Sequence, residues 1–314
     1  MTKSSEFSLS ETGAEAGINA LFRAAQTTGA AFSAWRLPNQ EELFISICFG
    51  AETISENFAL EKAPAGFIMH PFEIAPQNQA CFLPSGLLFS SNLQQNTITG
   101  RQLTENPKAT QFRETLRQEL EAPFETNWYT SSAEIKATNR AAFEDLVKNA
   151  ISFLKKGEAE KVVPSRCANV SLPLHFTPVT GFLSLLKKYP QAFVSLVSAP
   201  ETGTWLGASP EILVQKDRQN IFRTMALAGT QKMVSGQNQA DAIWRQKEIE
   251  EQSLVVRYII SCFKKIRLRE YIETGPRTVA AGNLLHLRSD FCVDLNEQTA
   301  FPDLTTQMLH LLHP

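Results

Sequence analysis

The chain has 314 residues, 43% hydrophobic and 20% charged, the proportions of a soluble globular protein able to bury a sizeable core in one large domain or two. Its 30 Lys and Arg against 32 Asp and Glu leave a formal charge of −2, so no global field recruits nucleic acid or an anionic membrane. Five scattered cysteines (Cys48, Cys81, Cys167, Cys262, Cys292), no signal-peptide core and no run of eighteen apolar residues predict a reduced, cytoplasmic protein that is neither secreted nor membrane-spanning.

Ala16, Ile18, Leu21, Phe22 and Ala25 recur near helical spacing and predict a first helix over 13–27. Residues 30–35 and 43–49, separated by a Leu37-Pro-Asn-Gln turn, predict a β-hairpin. Shorter strands are expected over 66–72 and 86–90. The polar stretch 92–123 reads as an inserted, mobile segment with one helix over 112–120. Phe143, Leu146, Val147, Ala150, Ile151 and Leu154 make 139–156 the clearest helix, with Gly157 placed to cap it. A strand over 160–172 follows, carrying Lys161 near its start, and Pro164 makes it an edge or bulged strand. Beyond it come a helix over 180–189 and a strand over 193–198. Residues 203–214 read as two strands joined by a Gly/Ser/Pro bend, and 225–230 as a strand ending in Ala228-Gly229-Thr230. A long helix over 239–266, a strand over 277–281, a Gly282-Asn turn and a last helix over 303–313 complete the chain. This mixed order predicts an α+β (mixed α/β) fold with large, mostly antiparallel sheets and flanking helices, and no internal repeat.

Several residues stand out as candidates for chemistry. Lys161 opens an apolar segment; partial burial would lower its pKa toward that of a base, at about 4 kcal/mol, whereas an exposed strand end would leave it an ordinary surface charge. Glu211, on a bend between apolar runs, is either a candidate acid or a solvated turn carboxylate. The glycine in Ala228-Gly229-Thr230 lets backbone N–H groups approach an anionic ligand. Glu251 borders a charged run, Lys247 to Glu251, but lies where the apolar stripe of its helix begins, so it is either solvated or an inward hard-metal ligand. His286, among leucines, is by default a hydrogen-bonded core histidine. His310 and His313 share a helix face but lack the further ligands a zinc site needs. The sequence contains no Walker loop, dinucleotide fingerprint, nucleophile elbow or H-E-x-x-H.

Five motifs in order, Lys161-Val-Val-Pro-Ser-Arg166, Leu206-Gly-Ala-Ser-Pro-Glu211, Leu227-Ala-Gly-Thr230, Lys247-Glu-Ile-Glu-Glu251-Gln-Ser-Leu-Val255 and Leu285-His286-Leu287, resemble those of the chorismate-utilising enzymes. The resemblance covers residue 130 to the end and implies one chorismate-binding-type domain over 1–314, with 1–130 its variable part and 131–314 the family core. Lysine at position 161 resembles the members that add water to chorismate rather than ammonia. By resemblance, Lys161 deprotonates water attacking ring C2 and Glu211 protonates the departing C4 hydroxyl. Glu251 would hold Mg2+ against the ring carboxylate, Ala228, Gly229 and Thr230 would bind the same carboxylate, and His286 would line the pocket. The implied product is isochorismate, feeding menaquinone or siderophore synthesis. Alternatives are salicylate formation, or an inactive remnant that only binds or associates. The resemblance also implies that the family's last strands lie beyond Leu311-Leu-His-Pro314, which predicts exposed sheet edges and possible self-association.

Overall fold

The computed structural model describes residues 6–9, 13–54, 58–72, 79–122, 127–131, 137–234, 238–282 and 284–313. They fall into two units, Met1–Thr130 with Thr177–Pro314, and Ser131–Phe176. In chain order the larger unit begins with β1 (Glu6–Ser8), α1 (Ala14–Thr28), β2 (Ala31–Arg36), β3 (Glu42–Cys48) and β4 (Glu52–Thr53). Next come β5 (Gly66–Met69), β6 (Cys81–Pro84), β7 (Leu87–Asn92), β8 (Thr97–Gln102) and α2 (Pro107–Glu121). The smaller unit holds α3 (Arg140–Lys155). The larger unit resumes with α4 (Pro178–Lys188), β9 (Phe193–Ala199), β10 (Gly203–Ser209), β11 (Gln215–Lys216), β12 (Ile221–Ala226) and β13 (Thr230–Lys232). It ends with α5 (Gln246–Lys265), β14 (Ile272–Ala281), β15 (Leu284–Asp294) and α6 (Leu304–Leu312).

The first sheet has seven strands in the order β1-β8-β7-β3-β2-β9-β10, every neighbouring pair antiparallel. Its strands alternate as a half-buried sheet requires: in β7, Leu87, Phe89 and Ser91 are buried while Leu88, Ser90 and Asn92 are half-exposed. The buried face meets Ile18, Leu21 and Phe22 of α1 and Val179, Phe182 and Leu186 of α4 in one core. Phe22 packs edge-to-face on Phe32 with ring centroids 5.2 Å apart. Each such buried side chain contributes roughly 1.5–3 kcal/mol. Helix α1 ends because Gly29 adopts φ 70°, which returns its N–H to the last turn. Buried Arg36 donates to the carbonyls of Leu186 at 2.8 Å and Tyr189 at 2.6 Å, closing the C-terminal end of α4.

The stretch expected to be an inserted, mobile segment is instead part of this framework. β8 pairs with both β7 and β1, and α2 starts at Pro107 behind an Asn106 cap and buries Ala109, Phe112 and Leu116. Its polar composition hid a single apolar stripe at i, i+3 and i+7. Arg23 of α1 pairs with Glu119 of α2 at 2.8 Å.

The second sheet runs β11-β12-β15-β13, with β14 along the other side of β15. Central β15 was not anticipated, although Leu287, Ser289, Phe291 and Val293 point inward in strict alternation and Arg288 and Asp290 outward. Helices α5 and α6 cover this sheet through Ile259, Cys262, Phe263, Leu304 and Met308 packed on Phe222, Phe291 and Val293. α5 begins at Gln246, later than expected, because 239–241 form only a 3-10 turn. The turn expected at Gly282-Asn includes residue 283, outside the described residues. A third sheet, β4-β6-β5, packs on the first through Cys48, Cys81, Leu83, Val197 and Ala199. Among the described residues β10 is paired on one side only, with Trp205 52% exposed.

In the smaller unit, α3 is capped by the Asn139 side chain on Ala142 N–H at 2.9 Å. None of its residues is buried: of the apolar stripe read from the sequence, Leu146 and Ile151 are exposed and Phe143, Val147, Ala150 and Leu154 half-buried. The strand expected over 160–172 does not form. Among the described residues this unit has no strand to pair with it, and Pro164 lacks the N–H a ladder needs; Val163 and Val170 are exposed. Thr138 N–H donates to Cys167 O at 2.9 Å, and the Arg166 guanidinium lies over the Phe143 ring.

Candidate active site

The motif at 227–230 sits where the second sheet is interrupted. β12 leaves the ladder at Ala226, opposite Ser289, and β13 enters it at Thr230, opposite His286. Between them Gly229 O accepts from Leu287 N–H at 2.8 Å. A Cβ at Gly229 would stand 2.9 Å from the Glu248 carbonyl and 3.0 Å from Leu287 Cδ1, so only glycine lets this stretch lie against the first turn of α5. Thr230 Oγ1 is 3.2 Å from Ala228 O and 3.0 Å from His286 Nδ1. Burial lowers the pKa of His286, which is 7% exposed and neutral at physiological pH.

The first turns of α5 supply the other wall. Glu248 accepts from Arg245 N–H at 3.1 Å and is buried, although its charged neighbours suggested a solvated face. Gln252, one turn on, is 2% exposed and bonds to the 226–228 backbone. Glu251 lies between them in sequence and is half-buried. Sequence reasoning missed Glu248 and Gln252; their i, i+4 spacing, in register with Ile259 and Phe263 further along, was the available signal.

Ala228, Gly229, Thr230 and His286 therefore converge with the helix that carries Glu251. Glu211 stands apart in secondary structure. The second strand expected beyond it reduces to β11, and Glu211 lies exposed on the irregular stretch 210–214, its N–H donating to Ser209 Oγ at 3.3 Å. Thr224 Oγ1 donates to Leu213 O at 2.7 Å and ties that stretch to β12. Lys161 belongs to the smaller unit, half-buried on an irregular segment.

Among the described residues no three His, Cys, Asp or Glu side chains cluster as metal ligands. A hard cation such as Mg2+ keeps several waters and takes one or two carboxylates plus substrate oxygens, so Glu251 is the carboxylate that bears on the expectation of such an ion. His313 instead packs its ring on His70 and Phe72, with centroids 5.2 and 5.4 Å apart. A cavity of about 250 Å³ in the larger unit is lined by Glu52, Gln79, Cys81, Glu201 and Thr202, among others. Its charged lining is acidic and would repel an anionic substrate.

The sequence profile of the chorismate binding enzymes matches residues 13–314. The chain belongs to this family. Among chorismate-binding enzymes it is similar to isochorismate synthase EntC of Escherichia coli K12, 24% identical over 202 residues that cover 59% of this chain and 49% of EntC. EntC of E. coli O157:H7 gives the same figures. The matched region thus spans about half the length of these curated relatives. Its fold is that of MenF, the menaquinone-specific isochorismate synthase of E. coli, with a TM-score of 0.66 and 17% identity over 99% of this chain and 79% of MenF. DhbC of Bacillus anthracis, assigned as a 2,3-dihydroxybenzoate-specific isochorismate synthase, aligns with a TM-score of 0.59 and 13% identity over 94% of this chain and 75% of DhbC. The mixed α/β fold with large antiparallel sheets is thereby that of the chorismate-binding enzymes. Among the described residues no helix is long and apolar enough to cross a membrane.

Proposed function

We propose that this chain converts chorismate to isochorismate. The observation that carries the reading is the convergence of three family motifs distant in sequence, 227–230, 247–255 and 285–287, at one interruption of the second sheet. Similarity to EntC supports isochorismate formation among the family's reactions.

In this reaction water forms a bond to ring C2, the C4–O bond breaks, and the two ring double bonds each move along by one position, so water enters and water leaves. Lys161 takes the proton of the attacking water and Glu211 gives one to the departing hydroxyl, the roles of a general base and a general acid. Gly229 and Thr230 offer donors to the ring carboxylate beside Ala228, and neutral His286 lines the pocket. Glu251 would hold Mg2+, which supplies charge neutralisation and orientation of the dianion when bound. All five cysteines are free, in keeping with a reducing cytoplasm.

The test is chromatographic product analysis with chorismate and Mg2+, alongside Lys161→Ala and Glu211→Gln. Isochorismate from the unsubstituted chain, reduced at least a hundredfold in either variant, is expected. Pyruvate release would redirect the reading to salicylate formation, and an aminated product requiring ammonia to amination. Binding without turnover would leave a chorismate-binding protein.

A further inference from the structure

The interruption at 227–229 has a defined geometry. Ala226 faces Ser289 and Thr230 faces His286, so three residues on one strand oppose only residues 287 and 288 on β15. One residue in excess makes a β-bulge, which removes backbone groups from the ladder and re-aims the chain beside it. Bulged backbone without partners, inside a protein, would be costly.

One side chain takes over the ladder's role. Gln252 Oε1 accepts from Ala228 N–H at 2.9 Å, and its Nε2 donates to Ala226 O at 3.0 Å and to Ser289 Oγ at 3.3 Å. The amide thus uses its oxygen and both its N–H groups, all buried, on one bulge and the strand opposite it. An apolar side chain of the same size would fill the space equally well but would remove the partner of Ala228 N–H and a bond to Ala226 O.

We propose that Gln252 is a positioning residue. It holds the bulge so that Gly229 and Thr230 are already aimed at the substrate carboxylate, and it ties that loop to the helix turn carrying its neighbour Glu251. Substrate then meets an ordered loop and does not bear the entropy of fixing three residues on binding. Gln252 acts through the loop, and the inference rests on the chorismate reading given above.

The experiment compares the full chain with Gln252→Met, which keeps volume and removes the bonds, and with Ile259→Val, a core change on the same helix. Chorismate Kd is measured by calorimetry with Mg2+, and hydrogen exchange of the peptide spanning 226–230 is followed without ligand. Gln252→Met should weaken chorismate binding at least tenfold and speed exchange of Ala228 N–H at least tenfold. Ile259→Val should leave both within twofold despite its lower Tm. Should the Met variant not fold, Gln252→Asn keeps the amide but not its reach and carries the same two readouts. Unchanged exchange, or unchanged Kd with faster exchange, overturns the inference alone. Absence of chorismate binding by the unsubstituted chain overturns the functional reading instead, and the exchange result still decides whether Gln252 holds the bulge.

Discussion

Thr230 and His286 face each other across β13 and β15, and the Thr230 hydroxyl lies between the imidazole Nδ1 at 3.0 Å and the Ala228 carbonyl at 3.2 Å. One proton arrangement serves both contacts: Nδ1–H donates to the hydroxyl, and the hydroxyl donates to Ala228 O. Nε2 then carries the lone pair. Nitrogen-15 NMR of His286 at pH 7 should show the neutral Nδ1–H tautomer, with the preference weakened in Thr230→Val; an Nε2–H tautomer in the unsubstituted chain would contradict this arrangement.

The same burial gives His286 a signature in stability. Its folded-state pKa is lowered by desolvation, so the unfolded chain, with a pKa of about 6.5, takes up the proton first as pH falls. Stability from this site is full above that value and declines as pH drops through it toward the folded pKa. Between pH 7.5 and 5.5 the Tm of the unsubstituted chain should fall more steeply than that of His286→Gln. Parallel profiles would show that the histidine is not desolvated.

Gly229→Ala places a methyl group 2.9 Å from the Glu248 carbonyl, against backbone that cannot easily yield. Urea unfolding should register a loss of about 1–3 kcal/mol. Gly207→Ala meets nothing within 4 Å and should stay within about 0.5 kcal/mol of the parent. Equal effects at the two positions would mean that the bulge does not press on α5.

Glu61 caps α6 from 245 positions away: Thr306 N–H donates to its carboxylate at 3.1 Å, and the Thr306 hydroxyl donates to the other oxygen. Burial opposes the charged form, but these hydrogen bonds outweigh it and hold the Glu61 carboxyl below its ordinary range. The contribution is therefore present above the unfolded pKa of about 4.3 and is lost as pH falls through the lower folded value. Glu61→Ala should cost about 1 kcal/mol at pH 7, and the difference should shrink toward pH 3. A difference independent of pH would assign the loss to packing alone.

The thiols should separate cleanly by reactivity. Burial, with lesser contributions from Glu201, Cys81 and Glu52, pushes Cys48 up to about 11, and burial also raises Cys81; Cys167 is exposed. At pH 8 about one Cys48 in a thousand is thiolate. A disulfide reagent should therefore modify Cys167 first in the folded chain, and Cys167→Ser should remove that fast phase. A fast phase surviving the substitution would place another thiol at the surface.

Much of this molecule was legible locally. The apolar spacing of α1, α3 and α4, the β2–β3 hairpin and the terminal α6 all follow from side-chain periodicity, which acts over a few residues. The ordered motifs also singled out Gly229, Thr230, Glu251 and His286, and the fold sets Thr230 against His286 with Gly229 beside the first turn of the helix that carries Glu251. Where expectation failed, the deciding partner was remote. Residues 160–172 have strand-like composition but, among the described residues, no neighbouring strand in their unit, and residues 92–123 look polar yet supply β8 and α2 because β1, β7 and α1 lie ready to receive them.

By itself the sequence determined the class of fold and the family. Only the tertiary structure decided that 227–229 form a bulge, that β15 is the strand opposite it, and that Gln252 closes it with three hydrogen bonds. The reason is physical. Periodicity is a property of neighbours along the chain, whereas strand register, and the pairing of a buried amide with groups 24 to 37 residues away, are set only once the core has formed.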